Sequence, residues 1–223
     1  IPLGFDLARF QENKEEKRKS FRAKYKIEED EVAVGIIGRL VSIKNHTMFL
    51  NVVAKVLEET TQRVRFFMIG DGEEKQNLKN YCNRLNIEYS EWSEENKIAP
   101  ITFTSWIKDI DWANAGLDVI ILTSFNEGTP VSLIEAQASN KPIVTTNVGG
   151  VKNVTLENKT AFISEVNDIV DFKEKLLQLI ESKKLREKMG KDGWDFVKEK
   201  FSYNRLTKDI EALYMELLEL TEK

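Results

Sequence analysis

Two carboxylates at a strand-to-helix junction are the residues of this sequence best placed to do chemistry. Glu127 lies in the loop that follows an apolar run, and Glu135 lies eight residues later in an expected helix. With 3.6 residues per turn, Glu135 sits about one and a half turns inside that helix, and its side chain tilts back toward the helix start. Both glutamates can therefore flank one elongated ligand. A carboxylate offers two acceptor oxygens, which suits a vicinal diol on a ribose or another sugar ring.

The residues between the two glutamates favour an anionic ligand. Thr129 can cap a helix whose first residue is Pro130, because the fixed φ of proline suits that position and its missing N–H is not needed there. A helix N-terminus presents unpaired N–H groups and a partial positive charge, so it stabilises a phosphate placed beside Gly128, Thr129 and Val131. Gly128 also lets a ligand approach the backbone closely. The sequence thus predicts an anion site between two carboxylates.

Composition places the chain among globular proteins and excludes several classes of site. The 223 residues are 41% apolar and carry a net charge of −4, with both signs interspersed, so nothing requires nucleic acid as a partner. A single cysteine, Cys82, cannot form an internal disulfide, and with one histidine, His46, it cannot make a structural zinc site. We expect both to be packing residues, with a capping role open to His46. No apolar run approaches the ~18 residues of a membrane span. The chain begins at Ile1 without methionine, so we expect a piece of a longer protein.

The elements that position these residues alternate along the chain. Apolar runs predict strands at 31–38, 64–69, 101–104, 117–122, 141–146 and 160–163. Helices are predicted at 13–30, 44–58, 73–85, 109–115 and from Pro130, followed by a helical tail with breaks near Ser182, Gly190 and Ser202; residues 86–99 are expected to be a long surface connection. This alternation predicts a mainly parallel, Rossmann-like α/β sheet with helices on both faces and a C-terminal helical tail.

Ligands of such sheets bind beyond the carboxyl ends of the strands. That rule collects several segments on one rim: Gly38-Arg39, Gly70-Asp71-Gly72, Ser105-Trp106, residues 126–130 and Gly149-Gly150. Arg39 and Lys44 flank the turn after the first strand. Arg39 would bind a diphosphate through its planar fork and Lys44 as a point charge, and both would stabilise charge on a leaving diphosphate. The simpler interpretation is a surface arginine and a helix-start lysine, with Glu127 paired to Lys44 and Glu135 to Arg39.

Other chemistries also use these residue types. A glycoside hydrolase needs two carboxylates, but it requires neither a phosphate-binding helix terminus nor adjacent cations. A dinucleotide dehydrogenase is disfavoured because no Gly-x-Gly-x-x-Gly follows the first strand, where Gly35 and Gly38 are three apart. Trp106 could stack on a nucleobase or pack against the sheet, and the backbone of Trp106-Ile107 could contact the base instead.

Several motifs resemble one known family. Residues 126–136, Asn-Glu-Gly-Thr-Pro-Val-Ser-Leu-Ile-Glu-Ala, look like the Glu-x7-Glu signature of the retaining glycosyltransferases of family 4 (group 1), which have the two-domain GT-B fold. Residues 38–46, Gly-Arg-Leu-Val-Ser-Ile-Lys-Asn-His, are similar to that family's diphosphate-binding turn. Further similar segments are residues 1–6, which resemble the opening of the C-terminal domain, 69–72, 141–146, 148–150 and the final helix with Tyr214.

The resemblance covers nearly the whole chain and implies one nucleotide-sugar-binding domain over residues 1–223. It divides into a lead-in (1–30), an α/β core (31–202) and a crossing helix (203–223), while the acceptor domain would lie in a separate N-terminal half. The implied reaction moves a sugar from a nucleoside diphosphate, a UDP-sugar first, to an acceptor hydroxyl with retention of anomeric configuration. The implied setting is cytoplasmic, with membrane association at the inner face only through the other half.

The family's site residues carry over position by position. Glu127 would approach the donor sugar and act in catalysis with Arg39 and Lys44, without a metal or other cofactor, and Glu135 would hold the ribose hydroxyls. The rest of the implied donor site consists of Gly38, Gly128, Thr129, Pro130 and Val131 around the sugar and diphosphate, with Trp106 and Ile107 bordering the base.

Two departures from the family pattern affect the donor-sugar details. Lys152 or Asn153 replaces an acidic residue after the double glycine, and Ala161 replaces a later glycine. A nucleotide-sugar epimerase or hydrolase of the same fold and a non-catalytic nucleotide-binding module remain as alternatives.

Overall fold

The structure, a computed structural model, describes residues 1–94 and 97–221. Seven strands form one sheet in the order β3-β4-β2-β1-β5-β6-β7, and each neighbouring pair is parallel. The strands are β1 (Val32–Ile37), β2 (Val64–Ile69), β3 (Tyr89–Glu91), β4 (Ile101–Ser105), β5 (Val119–Leu122), β6 (Ile143–Thr146) and β7 (Ala161–Ser164). The predicted parallel α/β sheet is therefore confirmed.

Helices cover both faces of the sheet. They are α1 (Lys14–Lys24), α2 (His46–Glu59), α3 (Lys75–Arg84), α4 (Ile110–Gly116), α5 (Val131–Ala138), α6 (Val151–Val154), α7 (Ile169–Glu181), α8 (Lys183–Phe201) and α9 (Tyr203–Thr221), with short 3-10 helices at Ala8–Phe10 and Ser42–Lys44. Side chains of a strand point alternately to its two faces. In β1, Val34 and Ile36 pack with residues of α2, α3 and α7, whereas Ala33 and Ile37 pack with residues of α1, α4, α5 and α8. Burial on both faces explains why the strands read as continuous apolar runs.

The helix predicted at 13–30 is shorter than expected and ends at Lys24. Two further predictions were wrong, and both of these differences depend on distant contacts. Within the expected surface connection, residues 89–91 form the edge strand β3, with Tyr89 opposite Ile101 of β4; positions 95 and 96 of that connection lie outside the described residues. No helix break occurs at Gly190, because α8 runs through it. A Cβ at this position would lie 2.1 Å from the Asn140 carbonyl oxygen, so the glycine permits a close backbone contact. The predicted breaks at Ser182 and Ser202 are confirmed.

The chain ends are tied to each other across the fold. Phe5 forms an isolated bridge with Ser202, and Leu206 packs at Gly4. The Arg205 guanidinium donates to the Pro2 carbonyl oxygen at 2.8 Å. In the part of the chain that the structure describes, none of the helices combines the length and apolar character that crossing a bilayer requires.

Strand order reverses at the centre of the sheet. After β1 the chain crosses to β2 on one side, whereas β5 lies on the other side of β1 and continues to β6. In open α/β sheets the ligand crevice lies at such a switch point, beyond the carboxyl ends of the strands. Here the two loops that border it are residues 38–45 after β1 and residues 123–130 after β5, which contain the sequence-predicted cations and the first glutamate.

Candidate active site at the carboxyl rim of the sheet

The two loops meet through Glu127. Lys44 Nζ lies 2.7 Å from Glu127 Oε1, and the Ser124 hydroxyl donates to the same oxygen at 2.6 Å. The Glu127 side chain is 10% exposed, so this geometry is partly shielded from water. Its Oε2 atom accepts no hydrogen bond from any residue that the structure describes, which leaves one acceptor for a ligand. The simple Glu127–Lys44 pairing considered from the sequence is thus present, and it leaves a free oxygen at the crevice.

Backbone and hydroxyl contacts fix the loop after β5 against the turn after β1. The Phe125 amide donates to the Ile43 carbonyl at 2.9 Å. The Thr123 hydroxyl lies 3.1 Å from the Lys44 carbonyl oxygen. Because these bonds join segments about 80 positions apart in the chain, they position Lys44 and Glu127 before any ligand arrives.

The glycine pair after β6, Gly149 and Gly150, packs closely against the loop after β5. The Gly150 amide donates to the Glu127 carbonyl at 2.9 Å. A Cβ at Gly149 would lie 1.9 Å from the Glu127 oxygen, and one at Gly150 would lie 1.8 Å from the Gly128 oxygen. Gly149 also has a φ of +44°, a left-handed conformation that glycine adopts without strain. No other residue pair would allow this close contact.

The N-terminus of α5 opens onto the crevice, one residue later than predicted. The cap position is Pro130, with φ −71° and ψ 92°, and no side chain caps the helix, so the predicted Thr129 cap is wrong. The amides of Gly128, Thr129, Val131 and Ser132 have no acceptor among the described residues. A Cβ at Gly128 would meet no atom within 4 Å, so the space beside this peptide is open. Unpaired amides with open space around them form an anion-binding surface.

Arg39 adds a cation to the same rim. Its side chain is exposed and makes no hydrogen bond or ion pair with a described residue. The backbone beside it is fixed, since the Gly38 amide donates to the Ile69 carbonyl at 3.0 Å. The backbone next to Arg39 is therefore held in place, while the guanidinium donors remain free for a ligand.

Glu135 has different surroundings from Glu127. It is half-buried on α5, and burial raises the pKa of its carboxyl to about 7. The charge of Arg9 lowers this pKa by a smaller amount, and the charge of Asp111 raises it. Those two residues form their own ion pair at 2.9 Å. The suggested Glu135–Arg39 pairing is therefore wrong. No described residue hydrogen-bonds to the Glu135 carboxyl, so its polar atoms are available to hydroxyl groups of a ligand.

Trp106 and Ile107 lie at the far end of the rim, after β4. Trp106 is 58% exposed and contacts no aromatic ring of the described residues, so much of its indole surface is open. Ile107 is half-buried against the core. Asp71 fixes the turn before them: its carboxylate accepts from the Ser105 hydroxyl at 2.7 Å. Three strand spacings separate β4 from β5, or roughly 15 Å at about 4.8 Å each, a span that suits an elongated ligand.

Sequence reasoning missed the residues that support the site. Thr123 and Ser124 were absent from the predicted set, although two hydroxyl residues directly after an apolar strand were a usable signal. Asp71 was placed on the rim by the strand-end rule, but its hydrogen bond with Ser105 left no such signal. His46 is buried, and burial together with the Lys44 charge lowers its pKa to about 4, so it is a neutral packing residue.

Comparisons with known proteins agree on one family. The family Glycosyl transferases group 1 matches residues 17–195. The capsular polysaccharide biosynthesis glycosyltransferase CapM of Staphylococcus aureus is 27% identical over 200 residues, which are 89% of this chain and 50% of that protein. The chain spans about half the length of the curated relatives it matches.

Solved structures share the fold. The C-terminal domain of the group 1 glycosyl transferase LpcC from Francisella tularensis superimposes with a TM-score of 0.72 at 22% identity, covering 90% of this chain and all of that one. Anabaena Alr3699/HepE in complex with UDP gives a TM-score of 0.81 at 17% identity, covering 96% of this chain and 56% of that one. Because the family match extends over most of the sequence, the chain belongs to the glycosyl transferases group 1 family, with the fold of a GT-B C-terminal domain.

Proposed function

We propose that this chain is the donor-binding half of a retaining GT-B glycosyltransferase, which moves a hexose from a nucleoside diphosphate to an acceptor hydroxyl. The observation that carries this proposal is the crevice between β1 and β5. There the Lys44–Glu127 pair and the Phe125–Ile43 hydrogen bond join the loop that carries Arg39 to the loop that leads to the unpaired amides at the start of α5.

The diphosphate binds between the two loops. Arg39 contacts it through paired donors, and Lys44 shares its ammonium between Glu127 and a phosphate oxygen. When the bond from the sugar to the diphosphate breaks, its electron pair remains on the leaving diphosphate oxygen. Arg39, Lys44 and the amides of Gly128 and Val131 stabilise that charge without rearranging. In this scheme the two cations do the work of a metal ion, so donor binding needs none.

The two ends of the donor lie on either side of the diphosphate. At one end the Glu127 Oε2 atom accepts a hydroxyl of the donor sugar, and the space at Gly128 and Thr129 admits the ring. At the other end Glu135 accepts the ribose hydroxyls, and Trp106 with Ile107 borders the base. The exposure of Trp106 supports this placement, since much of its indole surface is open to a ligand.

A UDP-sugar is the first donor to test, since the similar fold of Alr3699/HepE carries UDP in its solved structure. The acceptor site belongs to a separate N-terminal domain, and catalysis requires closure of that domain over the rim. We place the enzyme in the cytoplasm and assign any attachment to the inner membrane face to that other domain.

Calorimetric titration of the chain with UDP, GDP and ADP, each free and glucose-linked, tests the proposal. We expect one of the three bases to bind, with the sugar-linked form at least as tight. Binding that is unchanged by EDTA supports the metal-free site, whereas binding that requires added magnesium contradicts it. No binding of any of the six ligands at ~1 mM, which corresponds to about 4 kcal/mol, would overturn the site assignment.

A further inference from the structure

A polar cavity of about 490 Å³ lies at the β3–β4 edge of the sheet, and the predicted donor residues are not among those that line it. Arg65 of β2, Thr102 of β4 and Ser90 of β3 form its floor, and Trp92, Lys97 and Ile98 form one wall. A volume between roughly 300 and 1,000 Å³ is typical of small-molecule sites.

The floor of this cavity contains a buried guanidinium with an unused donor. Arg65 is 3% exposed, and its guanidinium donates to the Tyr25 carbonyl at 2.8 Å and to the Thr102 hydroxyl at 3.0 Å. Its Nε atom is buried with no partner, and no described carboxylate lies within 4 Å of the guanidinium. Burial lowers the pKa of Arg65 and the charge of Glu31 raises it, but arginine stays protonated in proteins. The guanidinium carbon also lies 5.3 Å from the centre of the Phe67 ring. Because a buried charge is stabilised by a paired anion, the unpartnered Nε–H is a donor suited to an oxyanion.

Hydroxyl groups extend the polar floor away from Arg65. The Thr102 and Ser90 oxygens lie 3.1 Å apart, and both residues are at most 3% exposed. Both side chains lie on the same face of the sheet as Phe67. Closer to the centre of the sheet, this face carries apolar residues. A buried row of hydroxyls where packing would favour apolar groups provides further donors and acceptors beside the guanidinium.

The wall carries two exposed apolar side chains beside Lys97. Trp92 and Ile98 are 54% and 57% exposed. The described lining includes three cations, Lys24, Arg65 and Lys97, and two carboxylates, Glu91 and Glu94. Glu91 is already paired with Lys79, which lies outside the lining.

We propose that this cavity binds a small sugar that carries a phosphate or a carboxylate, with the oxyanion on Arg65 and the ring against Trp92. The planar fork of arginine matches either oxyanion. The indole face provides a broad apolar surface for the ring, and the Ser90 and Thr102 hydroxyls hydrogen-bond its substituents. This site is separate from the donor rim and does not depend on the function proposed for that rim.

Titration of the chain with glucose 6-phosphate and glucuronate, in the presence of saturating UDP, tests the proposal. Glucose tests the contribution of the sugar ring without a charge, and inorganic phosphate tests the contribution of the charge without a ring. We expect at least one of the two charged sugars to bind and to exceed both single-part probes by about tenfold or more, which equals about 1.4 kcal/mol. Failure of both charged sugars to bind at ~10 mM, about 2.7 kcal/mol on the same scale, would overturn the site.

Substituting Arg65 could destabilise the fold, because its guanidinium donates to the Tyr25 carbonyl. Substitutions of exposed lining residues avoid this problem. Trp92→Ala and Lys97→Gln should each weaken binding of the charged sugar by at least about fivefold, about 1 kcal/mol. Trp106→Ala is the matched control: it should weaken UDP binding and leave the charged sugar unaffected. If Trp92→Ala has no effect, or if Trp106→Ala weakens the charged sugar equally, the proposal is wrong. Loss of UDP binding alone would count only against the donor site.

Discussion

The two glutamates eight residues apart occupy surroundings of opposite character. Glu127 is held in the loop after β5 by an ammonium and a hydroxyl that both contact its Oε1 atom. Glu135, on the first turns of α5, has no hydrogen-bond partner among the described residues, and burial raises the pKa of its carboxyl to about 7. Burial raises a carboxyl pKa because it disfavours the charged form.

This difference suggests different functional demands on the two carboxylates. The geometry of Glu127 is set in advance by the glycine pair and the turn after β1, as expected for a group that must be aligned with a reacting sugar. Glu135 is left unsatisfied, as expected for a group whose partners come with the ligand. Four predictions, in order of decreasing effect, test this comparison.

The largest effect is expected at the glycine pair that supports Glu127. In Gly149→Ala the new Cβ would lie 1.9 Å from the Glu127 carbonyl oxygen, at a φ of +44°. We expect the free energy of unfolding to fall by about 2–4 kcal/mol, measured by urea denaturation. Gly128→Ala is the control, because nothing lies within 4 Å of its Cβ position, and it should change stability by less than about 0.5 kcal/mol. Equal effects of the two variants would show that the close contact of Gly149 with the Glu127 carbonyl does not hold the loop after β5.

The next effect concerns the pH dependence contributed by Glu135. Its pKa in the folded state, about 7, is above its ordinary value of 4.5, so between these values the folded state binds more protons than the unfolded state. Stability therefore falls as pH rises through that window. Glu135→Gln should remove this loss and raise the free energy of unfolding at pH 8 by up to about 3 kcal/mol, with no gain at pH 4.

Glu127→Gln provides the contrast for that experiment. It should lower stability at pH 8 by about 1 kcal/mol, because Lys44 and Ser124 lose a charged acceptor. Urea denaturation of both variants at pH 4 and pH 8 measures the difference. A pH-independent effect of Glu135→Gln, or a gain in Glu127→Gln, would contradict the contrast between the two carboxylates.

Nucleotide binding should show a smaller but clear dependence on both sides of the crevice. Arg39→Ala and Glu135→Ala should each weaken UDP binding about tenfold or more, or about 1.4 kcal/mol. Arg39→Ala should leave stability unchanged, since its side chain is exposed and has no described partner. Lys159→Ala is the matched control, because Lys159 is an exposed cation before β7, at the opposite end of the sheet. Unchanged affinity in both site variants would count against the donor site.

The smallest effect is expected from the hydroxyl that supports Glu127. Ser124→Ala removes one of the two donors to the Glu127 Oε1 atom, so we expect a loss of about 1 kcal/mol in the free energy of unfolding. Ser20→Ala removes an exposed hydroxyl of α1 and should not reproduce this loss. If the two variants behave alike, Lys44 alone is sufficient to hold Glu127.

Much of the fold follows from local pattern. The apolar runs of β1, β2 and β5 predict strands covered on both faces, and their alternation with helices predicts the parallel sheet. The rule that ligands bind beyond the carboxyl ends then places Arg39, Lys44 and Glu127 on one rim without any coordinates. The edge strand β3 could not be predicted, because three residues carry too little periodicity and Tyr89 pairs only once β4 lies beside it.

The sequence likewise did not predict the surroundings of the charged groups. Nothing near Arg65 in the chain indicates that it lies buried with its Nε unpartnered, since Thr102 and Tyr25 contact it from other elements. The start of α5 at Val131 also escaped local rules, because Thr129 is a good capping residue by type but Pro130 occupies the cap position.

The sequence by itself determined which residues could act and at which end of the sheet they stand, because residue type and strand order along the chain are local information. Only the tertiary structure decided that Glu127 is fixed by Lys44 and Ser124 while Glu135 is desolvated beside Arg9 and Asp111. The physical reason is that hydrogen bonds, burial and charge effects act over a few ångströms of space. Residues as far apart in the chain as Arg9 and Glu135 meet only when the sheet and its helices assemble.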